Sequence, residues 1–273
     1  MKAPGMAAGR AGAALLLAFI LTAALAGVIA PHDPWERMDP YARPGGDHWL
    51  GTNDLGQDIL SELIHGARVS LLVGFGSALL ATGIGVLIGL LAGYFRGTLD
   101  EFLMGVTDVV LMIPRIPLII ILAAFLRPGF WLIALVIGCL WWTSTARVVR
   151  SRTLQVREME FVRGARCLGF SHAHILASDV LPQILPVVLP KFMLTIASAM
   201  ISEASLSFLG LGDPSMKSWG MMLNVAFTRG GFINEMWWWF LPPGLCITLA
   251  AGAVVLLGFS LEKEPAPDIE IGE

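Results

Sequence analysis

An uninterrupted run of 27 uncharged residues, from Val69 to Phe95, limits the fold of this chain more than any other feature. A helix needs about 20 consecutive apolar residues to cross the hydrocarbon of a bilayer. Backbone groups in hydrocarbon have no water to bond, so such a run has to form a helix. Across all 273 residues, 56% are hydrophobic and only 14% are charged. The sequence therefore predicts an all-α integral membrane protein.

Five further apolar stretches bring the predicted number of transmembrane helices to six. The predicted spans are 11–30, 69–95, 102–126, 129–146, 182–203 and 237–259. The first also resembles a cleavable signal peptide, because Lys2 and Arg10 precede it and it contains Ala24-Leu25-Ala26. Its length of 20 residues favours a retained helix.

The distribution of arginine predicts the orientation of the spans. Residues 147–166 contain six arginines and only two acids, whereas residues 31–66 contain seven acids and only two arginines. Because loops rich in arginine and lysine stay in the cytoplasm, residues 147–181 are predicted to be cytoplasmic and residues 31–66 external. Six spans then place both termini in the cytoplasm.

The external segment is predicted to contain a short helix on the membrane surface. Asp54 is a suitable N-cap, with Gln57 three residues later. An apolar stripe at helical spacing follows it, formed by Ile59, Leu60, Leu63 and Ile64. The spacing of the seven acids does not match an EF-hand calcium loop, so no metal site is predicted here.

The cytoplasmic stretch FVRGARCLGFSHAHILASDVLPQILP, residues 161–186, is too polar to span a membrane. Residues 152–168 predict one amphipathic helix, whose apolar side is formed by Val156, Met159, Val162, Ala165 and Leu168. Gly169 is predicted to end this helix in a left-handed turn, and Ser171 to cap a second short helix before Pro182. Amphipathic helices of this kind lie on a membrane or bind a groove in a partner.

Catalytic, metal and nucleotide sites are not predicted in this chain. His172 and His174 are two residues apart, so on a helix they point in different directions and do not share a metal ion. The sequence lacks the glycine-rich P-loop pattern, so any nucleotide has to be bound by a partner protein. No cofactor and no nucleic acid is expected to bind.

The same stretch resembles the EAA loop of permeases from binding-protein-dependent ABC importers. That pattern is Glu-Ala-Ala, three residues, Gly, nine residues and Ile-x-Leu-Pro. Its positions here are Arg163-Gly164-Ala165, Gly169 and Asp179-Val180-Leu181-Pro182. The departures from the pattern are Arg163 for Glu, Gly164 for Ala and Asp179 for Ile.

Two other segments are similar to the dipeptide, oligopeptide and nickel group of these permeases. HWLGTNDLGQDILSELIHGARVSLLVG, residues 48–74, looks like the signature that precedes the second span. ISEASLSFLGLGDPSMKSWGMML, residues 201–223, looks like the segment after the fifth span. With the EAA-like loop, these matches occur in the family's order and extend over most of the chain.

The resemblance implies a type I importer permease fold in a bacterial or archaeal plasma membrane. The implied division is 1–67 for the first helix and external segment, 68–260 for the transporter domain and 261–273 for an acidic cytoplasmic tail. The implied partners are a homologous second permease, two P-loop ATPases that bind ATP and magnesium, and an external substrate-binding protein.

In this family the EAA loop, here about 152–181, couples the permease to an ATPase. The residues implied to take part are Glu160, Arg163, Gly164, Ala165, Gly169, Ser171, His172, Leu181 and Pro182. The family's Glu would attract a basic residue on the ATPase, whereas Arg163 would repel it. Either the partner supplies an acid, or Glu160 takes that role.

Ionisable residues inside predicted spans are costly and usually face a cavity or each other. Asp108 and Glu203 match residues common in the family, and a capping or interface role accounts for them. Arg115, between Pro114 and Pro117, and Lys191 occupy positions that are usually uncharged. Arg115 and Lys191 are therefore candidates for the substrate pathway, and Glu203 is a further candidate. The alternative for Arg115 is bonding to carbonyls freed by Pro117 or to an acid, and that for Lys191 is snorkelling towards the cytoplasm.

The predicted function is thus the permease subunit of an ATP-driven importer of small peptides. Nickel, metal chelates and oligosaccharides are alternative substrates within the same mechanism. A polytopic membrane enzyme is a distant alternative, because no acid, base and nucleophile converge at one membrane depth. A stand-alone channel or carrier would not need the EAA-like loop.

Overall fold

A computed structural model describes residues 4–125 and 129–262, and its regular elements in those ranges are helices. The all-α class predicted from the sequence is confirmed. In chain order the helices are α1 (Pro4–Ala24), α2 (Ala26–Ile29), α3 (Ile59–Phe95), α4 (Gly97–Met112), α5 (Arg115–Phe125), α6 (Phe130–Val156), α7 (Glu160–Cys167), α8 (His172–His174), α9 (Leu181–Phe208), α10 (Trp219–Thr228) and α11 (Trp237–Leu261). A π-helical turn, Ile175–Val180, joins α8 to α9.

Helix α3 is longer than the bilayer requires. Its 37 residues extend for about 55 Å at 1.5 Å per residue, against a hydrocarbon core of about 30 Å. It begins at Ile59, ten residues before the predicted start of the second span. The separate surface helix predicted in the external segment is therefore wrong, because its apolar stripe forms the first turns of α3.

The N-cap predicted at Asp54 is also wrong. The backbone amides of Leu55 and Gln57 donate to the side-chain oxygen of Asn53, which folds these residues into a turn. Asp58 caps α3 instead, because its carboxylate accepts from the amide of Ser61 at 2.8 Å.

The third predicted span, 102–126, is not one continuous helix. Helices α4 and α5 meet at an angle of 78° around Ile113 and Pro114. A residue before proline is driven out of the helical conformation, and Ile113 accordingly has φ −75° and ψ 123°. Together the two helices are apolar enough to form a broken span or a re-entrant loop.

Within residues 4–125 and 129–262, five helices are long and apolar enough to cross a membrane, counting α8, the π-helical turn and α9 as one, and the bent pair makes six if it counts as one span. They correspond to the other five predicted spans, although α6 continues ten residues past the predicted end at 146. The acidic tail predicted at 261–273 lies almost wholly outside the described residues, as does Lys2.

Helices α3 and α6 pack closely against each other. The contact is formed by Gly85, Gly89 and Gly93, which occupy one face of α3 at four-residue spacing. A methyl group added at Gly89 would lie 2.6 Å from the carbonyl oxygen of Ala146 on α6. Small residues at this spacing let two backbones approach closely, which drives helix association where no water is present to be expelled. The glycines at four-residue spacing are visible in the sequence, but the lengths of the apolar runs do not indicate them.

The other long helices surround α3. Helix α9 packs against α3 and α6, α11 packs against α9, and α1 packs along α11 and touches α3. A buried cluster joins α3, α9, α10 and α11, with Trp219 and Trp239 as its largest side chains. Helix α3 therefore contacts α6 as well as the cluster formed with α9, α10 and α11.

We predict that Gly89→Ala lowers stability by about 1–3 kcal/mol, because overpacking separates α3 from α6. Gly83→Ala is the matched control, since a methyl group there meets no atom within 4 Å. The measurement is the thermal unfolding temperature of each purified variant in the same detergent. Equal unfolding temperatures for wild type and Gly89→Ala would contradict the proposed packing.

Candidate functional site

The segment that connects α6 to α9, residues 157–182 and here called the connecting segment, contains α7, α8 and the π-helical turn. Gly169 has φ +79°, and the amide of Phe170 donates to the carbonyl of Ala165 at 3.2 Å. This geometry confirms the predicted left-handed end of the first helix. Ser171 caps α8 by accepting from the amide of His174 at 3.3 Å, also as predicted.

The single helix predicted over 152–168 is wrong, because the chain breaks between Val156 and Glu160. Met159 is extended, with ψ 148°, and so redirects the chain before α7 starts. The break lets Val156 and Val162 pack into one buried cluster beside Tyr94 and Ile184. It also separates Leu168, which was predicted on the same apolar side as Val162, from that buried cluster, and Leu168 is 79% exposed.

Tyr94, at the end of α3, joins the connecting segment to the bundle. Arg157 donates to the backbone carbonyl of Tyr94, and the guanidinium of Arg166 lies 4.8 Å from the centre of the Tyr94 ring. The Tyr94 hydroxyl is 2.9 Å from Nδ1 of His172. Three residues spread along the connecting segment thus contact one buried residue of α3, Arg157 through its backbone and Arg166 and His172 through its side chain.

Glu158 forms a second attachment, between the arginines of two elements. Its carboxylate lies 2.8 Å from Arg163 on α7 and 3.0 Å from Arg96 at the corner between α3 and α4. The hydrogen bond from Arg163, together with the charges of Arg96 and Arg157, lowers the pKa of Glu158. Arg163 is therefore neutralised within the chain by Glu158.

The structure brings the predicted coupling residues into one segment but gives them different exposure. Those with exposed side chains or backbone are Glu160, Arg163, Gly164, Gly169, Ser171, His172 and Pro182. Ala165 and Leu181 are partly buried and pack against the Tyr94 cluster. The segment also exposes three large apolar side chains, Phe161, Leu168 and Phe170. It thus combines a buried attachment with an outer surface that has apolar and charged groups.

Sequence reasoning missed Tyr94 and Glu158. Tyr94 is one of only two tyrosines in the chain and is the penultimate residue of the longest uncharged run, two residues before Arg96. That position predicts a membrane boundary. The spacing of residues does not show that the connecting segment, more than 60 residues later, folds back to contact Tyr94. Glu158 was recognised only as an acid among six arginines.

Arg115 begins α5 and points towards α6. It donates to the hydroxyl of Thr143 at 3.3 Å, and its guanidinium lies 4.8 Å from the centre of the Trp141 ring. The partners that the sequence analysis expected, carbonyls freed by Pro117 or an acid, are thus replaced by a hydroxyl and an indole. These contacts attach the bent α4–α5 pair to α6.

Lys191 lies on α9 in an open groove of about 570 Å³ between α6, α9 and α11. Two other charged residues line this groove, Arg152 at the end of α6 and Glu262 after α11.

Glu203 lines a small cavity together with Ser207 and Ser218. It is only 2% exposed, and its carboxylate accepts from Ser207 at 2.7 Å and from Ser70 on α3 at 3.3 Å. It therefore links α9 to α3 through hydroxyl groups, which is an interface contact.

Asp108 also has an interface role, through an ion pair of 2.6 Å with Arg147 on α6. A second pair joins the same two helices, because Asp100 accepts from Arg150 at 2.5 and 2.6 Å. Charged groups close to the end of the bundle thus hold α4 against α6.

Comparison with known proteins adds a family match to this geometry. Residues 85–263 match the family described as "Binding-protein-dependent transport system inner membrane component". The chain is 31% identical over 262 residues to the dipeptide transport system permease protein DppC of Bacillus subtilis, covering 95% of this chain and 81% of that protein. It is 32% identical over 248 residues to the oligopeptide transport system permease protein OppC of the same organism, covering 89% and 81%.

We predict that Arg115 has a structural role that depends on Trp141. In a double-mutant cycle, Arg115→Gln and Trp141→Leu should each lower the unfolding free energy, with a coupling energy of about 0.5–2 kcal/mol. The measurement is the stability of the two single variants and the double variant in detergent. Additive effects, together with impaired transport by a fully stable Arg115→Gln protein, would contradict this role and favour a place on the substrate path.

Proposed function

The chain belongs to the family of binding-protein-dependent transport system inner membrane components, and from this we propose that it is a permease of an ATP-driven peptide importer. As a member of that family it is a multi-pass transport subunit and not an enzyme. In the proposed function it forms half of a translocation path and transmits motion from an ATPase to its own spans.

The observation that carries the proposal is the attachment of the connecting segment to α3 through Tyr94. A subunit driven by a separate ATPase needs a part that binds the ATPase and is mechanically joined to the membrane helices. The contacts of Arg157, Arg166 and His172 with Tyr94 provide that joint. Nucleotide binding would then shift the permease between two states by binding one of them more tightly.

The outer surface of the connecting segment supports its role as the ATPase-binding part. Leu168 is 79% exposed and lies next to the Gly169 turn. Exposed apolar side chains at a helix end are suited to a groove in a partner protein. Because Glu158 already pairs with Arg163, the ATPase need not supply an acid opposite that arginine.

Peptides are the proposed substrates because the printed names of two relatives state dipeptide and oligopeptide transport. Nickel, metal chelates and oligosaccharides are less favoured, since neither of those names includes them. A separate binding protein would make most of the selection. Lys191 remains a proposed pathway residue, where its charge would meet a peptide carboxylate, whereas Arg115 has the structural role predicted above.

The proposed assembly contains a homologous second permease, two P-loop ATPases and an external binding protein. ATP and magnesium would be bound by the ATPases, and no cofactor by this chain. The arginine-rich connecting segment would be cytoplasmic and residues 31–66 external, with both termini in the cytoplasm.

The function can be tested by reconstituting the complex, with its ATPase and binding-protein partners, into proteoliposomes. Labelled dipeptide should accumulate only when hydrolysable ATP is present on the ATPase side, and unlabelled peptides should compete. ATP-driven uptake of nickel or an oligosaccharide without any uptake of peptide would contradict the proposed substrate.

In the same assay, Gly169→Ala should reduce peptide uptake per ATP hydrolysed by about fivefold or more. A non-glycine residue destabilises the left-handed turn by about 1 kcal/mol, which displaces α8 from α7. Gly46→Ala is the matched control, because Gly46 also has positive φ and free space but lies in the external segment. Equal coupling in wild type and Gly169→Ala would exclude this turn from the coupling joint.

A further inference from the structure

The external segment contains a cluster of metal-binding groups that the residue spacing does not reveal. His32, His48 and Asp58 each offer one ligand atom, and these three atoms lie within 4.8 Å of one another. We propose that His32, His48 and Asp58 form a binding site for a divalent transition metal ion, with Zn²⁺ as the representative cation.

The distances between the ligand atoms fit such an ion. Nδ1 of His48 is 3.0 Å from Oδ1 of Asp58, and Nδ1 of His32 is 3.9 Å from the same oxygen. In a tetrahedral zinc site with metal–ligand bonds of 2.0–2.1 Å, neighbouring ligand atoms are about 3.3 Å apart. Both distances therefore reach the zinc geometry with shifts of less than 1 Å.

The hydrogen bonds of Asp58 and His32 leave one carboxylate oxygen and one ring nitrogen available to a cation. Oδ2 of Asp58 accepts from the amide and the hydroxyl of Ser61, at 2.8 and 2.7 Å, so Oδ1 alone faces the histidines. Nδ1 of His32 is buried and has no hydrogen-bond partner among the described residues. A buried polar nitrogen without a partner is unfavourable, and a bound cation would satisfy it.

The backbone around the cluster holds its members in place. The amide of His32 donates to the hydroxyl of Ser61 at 3.1 Å. His48 belongs to a tight turn in which it and Gly45 exchange backbone hydrogen bonds of 2.9 Å. Asp58 is fixed as the N-cap of α3. Binding of the metal ion therefore requires little further ordering of the chain. It does require that the proton shared by His48 and Asp58 is released.

The ligand types determine which cations should bind. Two imidazoles and one carboxylate suit Zn²⁺, Co²⁺ and Ni²⁺, whereas Ca²⁺ and Mg²⁺ prefer sites made only of oxygen ligands. Three protein ligands leave a further coordination position for water or another group. The ion would tie residues 32 and 48 to the start of α3, at the end of the bundle away from the connecting segment.

The test uses the full chain purified in detergent with a tag that contains no histidine. Titration with Co²⁺ at about pH 7.5, where free imidazole is neutral, should produce visible d–d absorption that saturates at one ion per chain. Zn²⁺ should abolish this absorption by displacement, whereas excess Ca²⁺ or Mg²⁺ should not. Calorimetry with Zn²⁺ alone gives the affinity.

His32→Gln should weaken Zn²⁺ binding about tenfold or more, because it removes one of three ligands and no side-chain hydrogen bond. His65→Gln is the matched control, since His65 lies on α3 one turn after Ser61 and bonds its carbonyl at 3.0 Å, outside the cluster. This control should bind Zn²⁺ as wild type does. His48→Gln, with the same expected loss, replaces His32→Gln if that variant does not fold.

Absence of one-to-one binding by the wild type would overturn the proposal, as would unchanged affinity in the His32 and His48 variants. In either case the cluster would be only a hydrogen-bonded contact between His48 and Asp58. The result is independent of the proposed transport function, because the readout is metal binding to the isolated chain.

Discussion

The contact of Tyr94 with the connecting segment is the interaction on which the rest of the arrangement depends. Tyr94 lies in the last turn of α3 and is buried, so its position is set by the bundle. Its carbonyl, ring and hydroxyl contact Arg157, Arg166 and His172 respectively. These partners come from the two sides of the Gly169 turn, so α7 and α8 are both held at the same end of α3. The buried apolar cluster around Tyr94 and the more exposed pairs of Glu158 add to this attachment.

Helix α3 connects this attachment to the segment that contains His32 and His48. Its close glycine contacts with α6 fix its position in the bundle, and the Ser70–Glu203 contact links it to α9. At its other end, Asp58 caps the helix and holds the turn that contains His48. A rigid displacement of the connecting segment would therefore reach the opposite end of the bundle along one continuous helix.

Much of the fold could be predicted from local properties of the sequence. Apolar run length predicted the spans, Gly169 the left-handed turn and Ser171 the following cap, since each depends on a few neighbouring residues. The errors occur where a competing contact overrides the expected pattern. Asn53 forms a turn that removes the predicted cap at Asp54, and burial of Val156 beside Val162 breaks the predicted helix. The contacts of Tyr94 and the grouping of His32 with His48 join residues far apart in sequence, so spacing rules could not find them.

The central claim is that the connecting segment binds an ATPase, and site-specific photo-crosslinking tests it most directly. A benzophenone amino acid at position 168, where Leu168 is 79% exposed, should form a covalent adduct with the ATPase in assembled complexes. The same group at position 49, where Trp49 is 73% exposed in the external segment, should form none with the ATPase. An ATPase adduct from position 49, or none from position 168 in a complex that hydrolyses ATP, would contradict the account.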